Sequence, residues 1–153
     1  MKSVLISTQP KWCEIIANGE KTIEVRKTKP KIKKPFKCYI YCTKGNIDKV
    51  PKRIWWKKDG TGFEHIMNGK VIGEFVCDCI TMLKSDSKLQ SLYNGTQNTC
   101  LTDEELIKYA GFDKPVYYWH ISDLKIYDKP KELGEFNLKR PPQSWCYVEE
   151  LED

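Results

Sequence analysis

From Thr22 to Arg26 polar and apolar residues alternate (Thr22-Ile23-Glu24-Val25-Arg26). A period of two predicts a strand with Thr22, Glu24 and Arg26 on one face and Ile23 and Val25 on the other. Upstream, Trp12, Ile15 and Ile16 recur at helical spacing behind Pro10, which suits a first helical turn. Gly19 tolerates the positive φ that closes such a helix, so Lys21 falls at the helix-to-strand junction. The same patterning predicts strands at Val4-Leu5-Ile6, over 22–27, 37–43, 70–82 and 116–127, and a last one at 144–148 behind Pro141-Pro142. Within the long strand over 70–82, Gly73 marks a bulge or a close backbone approach. Lys129-Pro130 is read as a strand stop. Residues 44–69 read as an excursion broken by Gly and Pro, with a short helix near Arg53-Ile54-Trp55-Trp56, and 84–100 as polar and irregular. Thr102-Asp103-Glu104-Glu105 is a capping-box signature, opening a helix that should end at Tyr109-Ala110-Gly111. The predicted class is α+β, mainly β. Strands joined by irregular connections rather than helical crossovers argue for an antiparallel barrel or sandwich.

Composition adds bounds to this picture. The 153 residues, 40% of them hydrophobic and including five Trp, eight Tyr and five Phe, suit one globular domain over 1–153. No apolar run approaches the ~20 residues of a membrane span. The N-terminal apolar core is too short for a signal peptide, so a soluble, cytoplasmic protein is expected. The seven cysteines are odd in number and mostly sit in apolar strand-like runs, as buried thiols in a reducing compartment do. No Cys-x-x-Cys pair exists and the only histidines are His65 and His120, so neither a metal nor a cofactor is expected.

Charge changes the picture more. The net charge is +5, but residues 1–70 hold 17 Lys/Arg against 6 Asp/Glu, and residues 71–153 hold 9 against 15. Six lysines lie between Lys27 and Lys37, and among them Lys29, Lys31, Lys33 and Lys34 are candidates to hold phosphates. The other reading of this run is a solvated connector, marked by Pro30 and Pro35. The adjacent Trp55 and Trp56 read as cover for a core edge, or as a base-stacking surface.

Lys21, Thr22, Glu24 and Arg26 gather an ammonium, a hydroxyl, a carboxylate and a guanidinium within a few residues. Read blandly, they are a solvated face with a surface ion pair. Read functionally, Lys21 and Arg26 meet a phosphate or base carbonyl, Glu24 accepts from an exocyclic amine, and Trp12 or Trp119 stacks on the base.

Around these residues the chain resembles the ASCH domain, a family of the PUA-like superfamily of small β-barrels. Gly19, Lys21, Glu24 and Arg26 match its Gly-x-Lys-x-x-Glu-x-Arg pattern. The later Val71-Ile72-Gly73-Glu74-Phe75 strand and the helix over 106–112 follow its order, so the resemblance covers roughly residues 3–128. The closing Pro141-Pro142-Gln143-Ser144-Trp145-Cys146-Tyr147 is similar to that of small ASCH proteins of bacterial and prophage genomes. The resemblance implies a PUA-like antiparallel β-barrel with short flanking helices. It also implies binding of RNA or a modified nucleotide in a cleft beside the motif, with Lys21, Thr22, Glu24, Arg26, Trp12 and Trp119 as ligand-binding candidates. Some members are enzymes. One bacterial branch hydrolyses acetylcytidine with a lysine, a threonine and a glutamate, and others have been linked to ribonuclease action. Lys21 matches that lysine, whereas Glu24 stands where that branch has threonine. Glu74 and the acids near Asp103 are candidates for its glutamate. As an enzyme, this chain would use Lys21 and Glu24. A protein partner is the third reading, and the sequence leaves the oligomeric state open.

Overall fold

Val4, Leu5 and Ile6 are all fully buried because the strand that carries them, β1 (Lys2–Thr8), has apolar layers on both faces. The computed structural model describes residues 1–45, 55–58, 62–83, 99–110 and 114–152. After β1 come helix α1 (Pro10–Ala17) and strands β2 (Ile23–Arg26), β3 (Phe36–Cys42), β4 (Trp55–Lys58), β5 (Gly62–Ile66), β6 (Lys70–Cys77) and β7 (Ile80–Leu83). Helix α2 (Asp103–Ala110), strands β8 (Val116–His120) and β9 (Ser122–Lys131), a 3-10 turn over Leu133–Phe136 and strand β10 (Trp145–Glu149) complete the described chain.

The strands form a five-stranded sheet in the order β10-β1-β3-β6-β9, a three-stranded sheet β2-β8-β7, and a ladder of β4 with β5. Two expectations are corrected here. The described strands do not close into a barrel, and β1 pairs with β3 in parallel, α1 and β2 forming the connection between them. Every other pairing is antiparallel.

Alternation along the central strands sorts side chains into two layers. Val4, Ile6, Cys38, Ile40 and Cys42 join Cys13 and Ile16 of α1 and Trp119 of β8 in one cluster. Leu5, Tyr39 and Tyr41 face the other way, with Phe136, Tyr127 and Val148. β6 switches parity between the layers: Ile72 faces the first, and so do Phe75 and Cys77. The switch occurs at Gly73, where the pairing with β3 slips by one residue and the register with β9 is broken as well. A Cβ on Gly73 would lie 2.4 Å from the Lys125 carbonyl oxygen, so the close approach expected of this glycine is present.

Other differences have local causes. The helix expected near Trp55 and Trp56 is instead strand β4, with those residues opposite Ile66 and His65; Arg53 and Ile54 lie outside the described residues. The strand expected over 70–82 breaks at Asp78-Cys79, where the chain leaves the large sheet for the small one. Pro130 does not stop β9, because β9 is an edge strand and needs no donor there. Residues 84–98 of the irregular stretch expected over 84–100, and the stop at Gly111, lie outside the described residues. The capping box of α2 is formed: Glu105 N donates to Thr102 Oγ1 and Thr102 N to Glu105 Oε1. Among the described residues no helix is long and apolar enough to cross a membrane.

Candidate functional site around Lys21, Glu24 and Arg26

Between α1 and β2 the chain turns through Gly19, at φ +88°, and Lys21 N returns to the Ile15 carbonyl. This turn drives the Lys21 side chain inward. Lys21 is 2% exposed; its Nζ donates to the Thr99 carbonyl oxygen and lies 5.0 Å from the centroid of the half-buried Trp12 ring. Burial pushes the Lys21 ammonium pKa below its ordinary value, against the opposing pull of the Glu24 charge.

β2 then presents Glu24 and Arg26 on its inner face, each 7% exposed. The surface ion pair of the bland reading is therefore a buried one, with Arg26 Nε 3.5 Å from Glu24 Oε1. The guanidinium is committed elsewhere as well. Its Nη1 donates to the carbonyl and hydroxyl oxygens of Ser144, both at 3.2 Å, and its Nη2 to Ser7 O at 2.8 Å and Thr8 Oγ1 at 3.3 Å. Arg26 thus clamps β2 to the end of β1 and to the residue ahead of β10. Glu24 Oε2, by contrast, is buried and has no hydrogen-bond partner, and Arg26 Nε–H likewise makes no hydrogen bond. An unpaired buried acceptor of this kind costs about 1–3 kcal/mol and more when charged. The triad carries two cations and one anion in a largely desolvated setting.

Thr22 is half-buried on the same strand approach. Trp119 stands opposite Glu24 in the β2–β8 register but is fully buried, edge-on to Phe36 and Trp145 at 6.0 Å each. Its place is in the core layer beside Glu24, and its indole Nε1 makes no hydrogen bond. Of the two stacking candidates, Trp12 is the accessible one, with Lys11 Nζ 4.4 Å from its centroid as a second cation. The lysines of the connector, Lys29, Lys31, Lys33 and Lys34, are all exposed.

Pattern reading missed the partners that complete the site. Thr99 lies at the edge of a stretch without periodicity, while Ser7, Thr8 and Ser144 are small polar residues at strand ends. Near it, burial raises the pKa of the Tyr109 phenol of α2, with the Arg26 charge opposing and the Glu24 charge adding to the shift. Glu74 and Asp103 were candidates for a second carboxylate. Glu74 accepts from Tyr127 Oη at 2.7 Å and pairs with Lys37 at 3.0 Å, on the face of the large sheet away from Lys21. Asp103 is the first residue of α2. Four of the seven cysteines are buried and all are free thiols; burial pushes Cys77 up to about 12. Among the described residues no group of three or more His, Cys, Asp or Glu is placed to hold a metal ion.

No family model and no curated protein matches the chain. Solved structures do. An ASCH protein from Zymomonas mobilis superposes with a TM-score of 0.70 at 17% identity, over 97% of this chain and 88% of that one. A Tyr-to-Phe variant of that protein gives 0.70 at 17% identity over 98% and 92%. Its Ser-to-Ala variant gives 0.70 at 16% over 97% and 89%. At this identity the likeness is one of fold, and it extends over nearly the whole of both chains: this protein has the ASCH fold.

Proposed function

We propose that the protein binds nucleic acid, RNA or a modified nucleotide, in a cleft formed around Lys21, Glu24 and Arg26. One observation carries the reading: Lys21 is 2% exposed in surroundings that disfavour its charge. A lysine there is a cost to the fold, and ionisable groups perturbed by burial beside a specific charge partner cluster at functional sites. In this reading the Lys21 ammonium donates to a base carbonyl or a phosphate oxygen. The open lone pairs of Glu24 Oε2 take a base N–H, and Trp12 supplies the stacking face. Arg26 is a positioning residue, since four hydrogen bonds already fix it and its contact with Glu24 holds the carboxylate in place. Thr22 flanks the ligand, and Trp119 stands beside Glu24 in the core instead of stacking on the base. The exposed lysines of the connector favour a polyanionic ligand class.

A second reading rests on the same lowered Lys21 pKa. An amine that gives up its proton more readily is suited to acid–base work with Glu24, as in an amidohydrolase on modified pyrimidine nucleosides or a ribonuclease.

Fluorescence anisotropy with a short labelled RNA tests the binding reading. Lys21→Met and Glu24→Gln are each expected to weaken binding at least tenfold while the melting curve stays cooperative. Unchanged affinity in both variants overturns the cleft. Incubation of the wild-type protein with acetylcytidine and with end-labelled RNA separates the two readings: turnover that Lys21→Met abolishes makes the site an enzyme's.

A further inference from the structure

The lysine-rich connector is not a bare run of cations. Lys27 Nζ lies 4.9 Å from the centroid of Tyr109, and Lys29 Nζ lies 5.8 Å from that of Tyr117. Lys31 N donates to Tyr147 Oη at 2.8 Å, and Lys2 Nζ lies 4.7 Å from the centroid of the Tyr147 ring. Three alternate connector residues thus each engage a different tyrosine, and Tyr109 and Tyr147 are 38% and 37% exposed. Tyr147 is fixed in place, packed edge-on to Trp145 at 5.3 Å. Trp145 in turn donates to Thr28 Oγ1 at 2.8 Å, pinning the connector to β10.

This row begins at the site, because Tyr117 stands opposite Arg26 in the β2–β8 register and Lys27 follows Arg26 directly. It ends at Tyr147, beyond which Lys2, Glu135, Glu149 and Glu150 line a concavity together with the tyrosine. No Asp or Glu occurs between Lys27 and Lys37. A cationic edge interleaved with aromatic rings and closed off by carboxylates has the make-up of a single-strand track: lysines take phosphates and rings take bases. Residues two apart in a non-helical chain are separated by at most about 7 Å, which suits successive units of a stretched strand.

We propose that the ligand of the cleft is one unit of a longer single strand, whose neighbouring nucleotides run along Lys27, Lys29 and Lys31 with bases against Tyr109, Tyr117 and Tyr147. This rests on the cleft reading above and adds that the natural ligand is an oligonucleotide, not a free nucleotide.

The test uses the intact protein and 5′-fluorescein random-sequence RNA of one, two, four and eight nucleotides. Affinity should rise at least about a hundredfold from one nucleotide to four and then level off. The logarithm of affinity for the tetramer should fall with the logarithm of salt with a slope near −2, from about three phosphate contacts. Lys29→Ala/Lys31→Ala should flatten that slope to about −0.7 and cut the gain with length, while leaving mononucleotide binding intact. Tyr109→Ala and Tyr147→Ala should each weaken the tetramer about tenfold. No gain with length, or equal affinity for a duplex of the same length, overturns the track. So does equal weakening of mononucleotide and tetramer in the double lysine variant. Loss of dependence on Lys21 with length dependence retained overturns the cleft and leaves the track standing.

Discussion

Arg26 is the residue whose removal should be felt most strongly by the fold. Arg26→Met keeps an apolar stem but strips four hydrogen bonds to Ser7, Thr8 and Ser144 and leaves the Glu24 carboxylate without its 3.5 Å partner. Hydrogen bonds to a charged donor contribute about 1.5–3 kcal/mol each but do not add when they share one group. Breaking a buried charge pair from one side costs about 3–5 kcal/mol, because the remaining charge is left uncompensated. A loss of about 4 kcal/mol is the reasoned figure. With a urea m-value of about 2 kcal/mol/M, the midpoint should fall by about 2 M. Arg26→Lys should recover little of this, since a point charge cannot span acceptors on two segments. The assay is equilibrium unfolding in urea followed by tryptophan fluorescence, in which the fully buried Trp119 opposite Glu24 reports on the same region. A second arm, Glu24→Gln/Arg26→Met, should lose less than the sum of the single changes. A midpoint for Arg26→Met within about 0.5 M of wild type would refute the clamp.

Lys21 makes the opposite prediction. Its folded pKa lies below the ordinary 10.5, so the unfolded state binds more protons between those two values and stability rises with pH across that window. Lys21→Met should therefore be at least as stable as wild type at pH 7, with Glu24 still facing Arg26, and its advantage should shrink as urea midpoints are measured toward pH 10.5. An advantage that grows with pH refutes this. Gly73→Ala should cost at least about 1–3 kcal/mol in thermal melts, since its Cβ would meet the Lys125 carbonyl oxygen at 2.4 Å. Thr102→Ala should cost about 1 kcal/mol, seen as faster amide exchange in the first turn of α2, because Glu105 N loses its acceptor.

What was legible in the sequence was local. The alternation through Ile23–Arg26, the Gly19 turn, the Thr102 cap and the special place of Gly73 each follow from a few neighbouring residues, and each is present in the structure. Pairing was not legible, because strand character does not say which edges meet or in which direction. The parallel β1–β3 pair and the open sheets are therefore differences from an expected antiparallel barrel. Adjacent tryptophans fit a helix surface as well as a ladder, and β5 decided for the ladder. The site was half visible. Lys21, Glu24 and Arg26 stood out as a polar set, but their burial comes from partners far along the chain, Thr99 at 78 residues from Lys21 and Ser144 at 118 from Arg26. Burial is a property of that assembly, and it turns an apparently solvated strand face into a desolvated charge cluster.

In the proposed function Lys21 is kept for a ligand and not for the fold. Calorimetric titration of a short RNA into wild type and Lys21→Met, with thermal melts of the same two samples, tests it most directly. Lys21→Met should keep or raise the melting temperature and lose RNA binding at least tenfold. A variant that melts several degrees lower yet binds RNA as wild type does would contradict it.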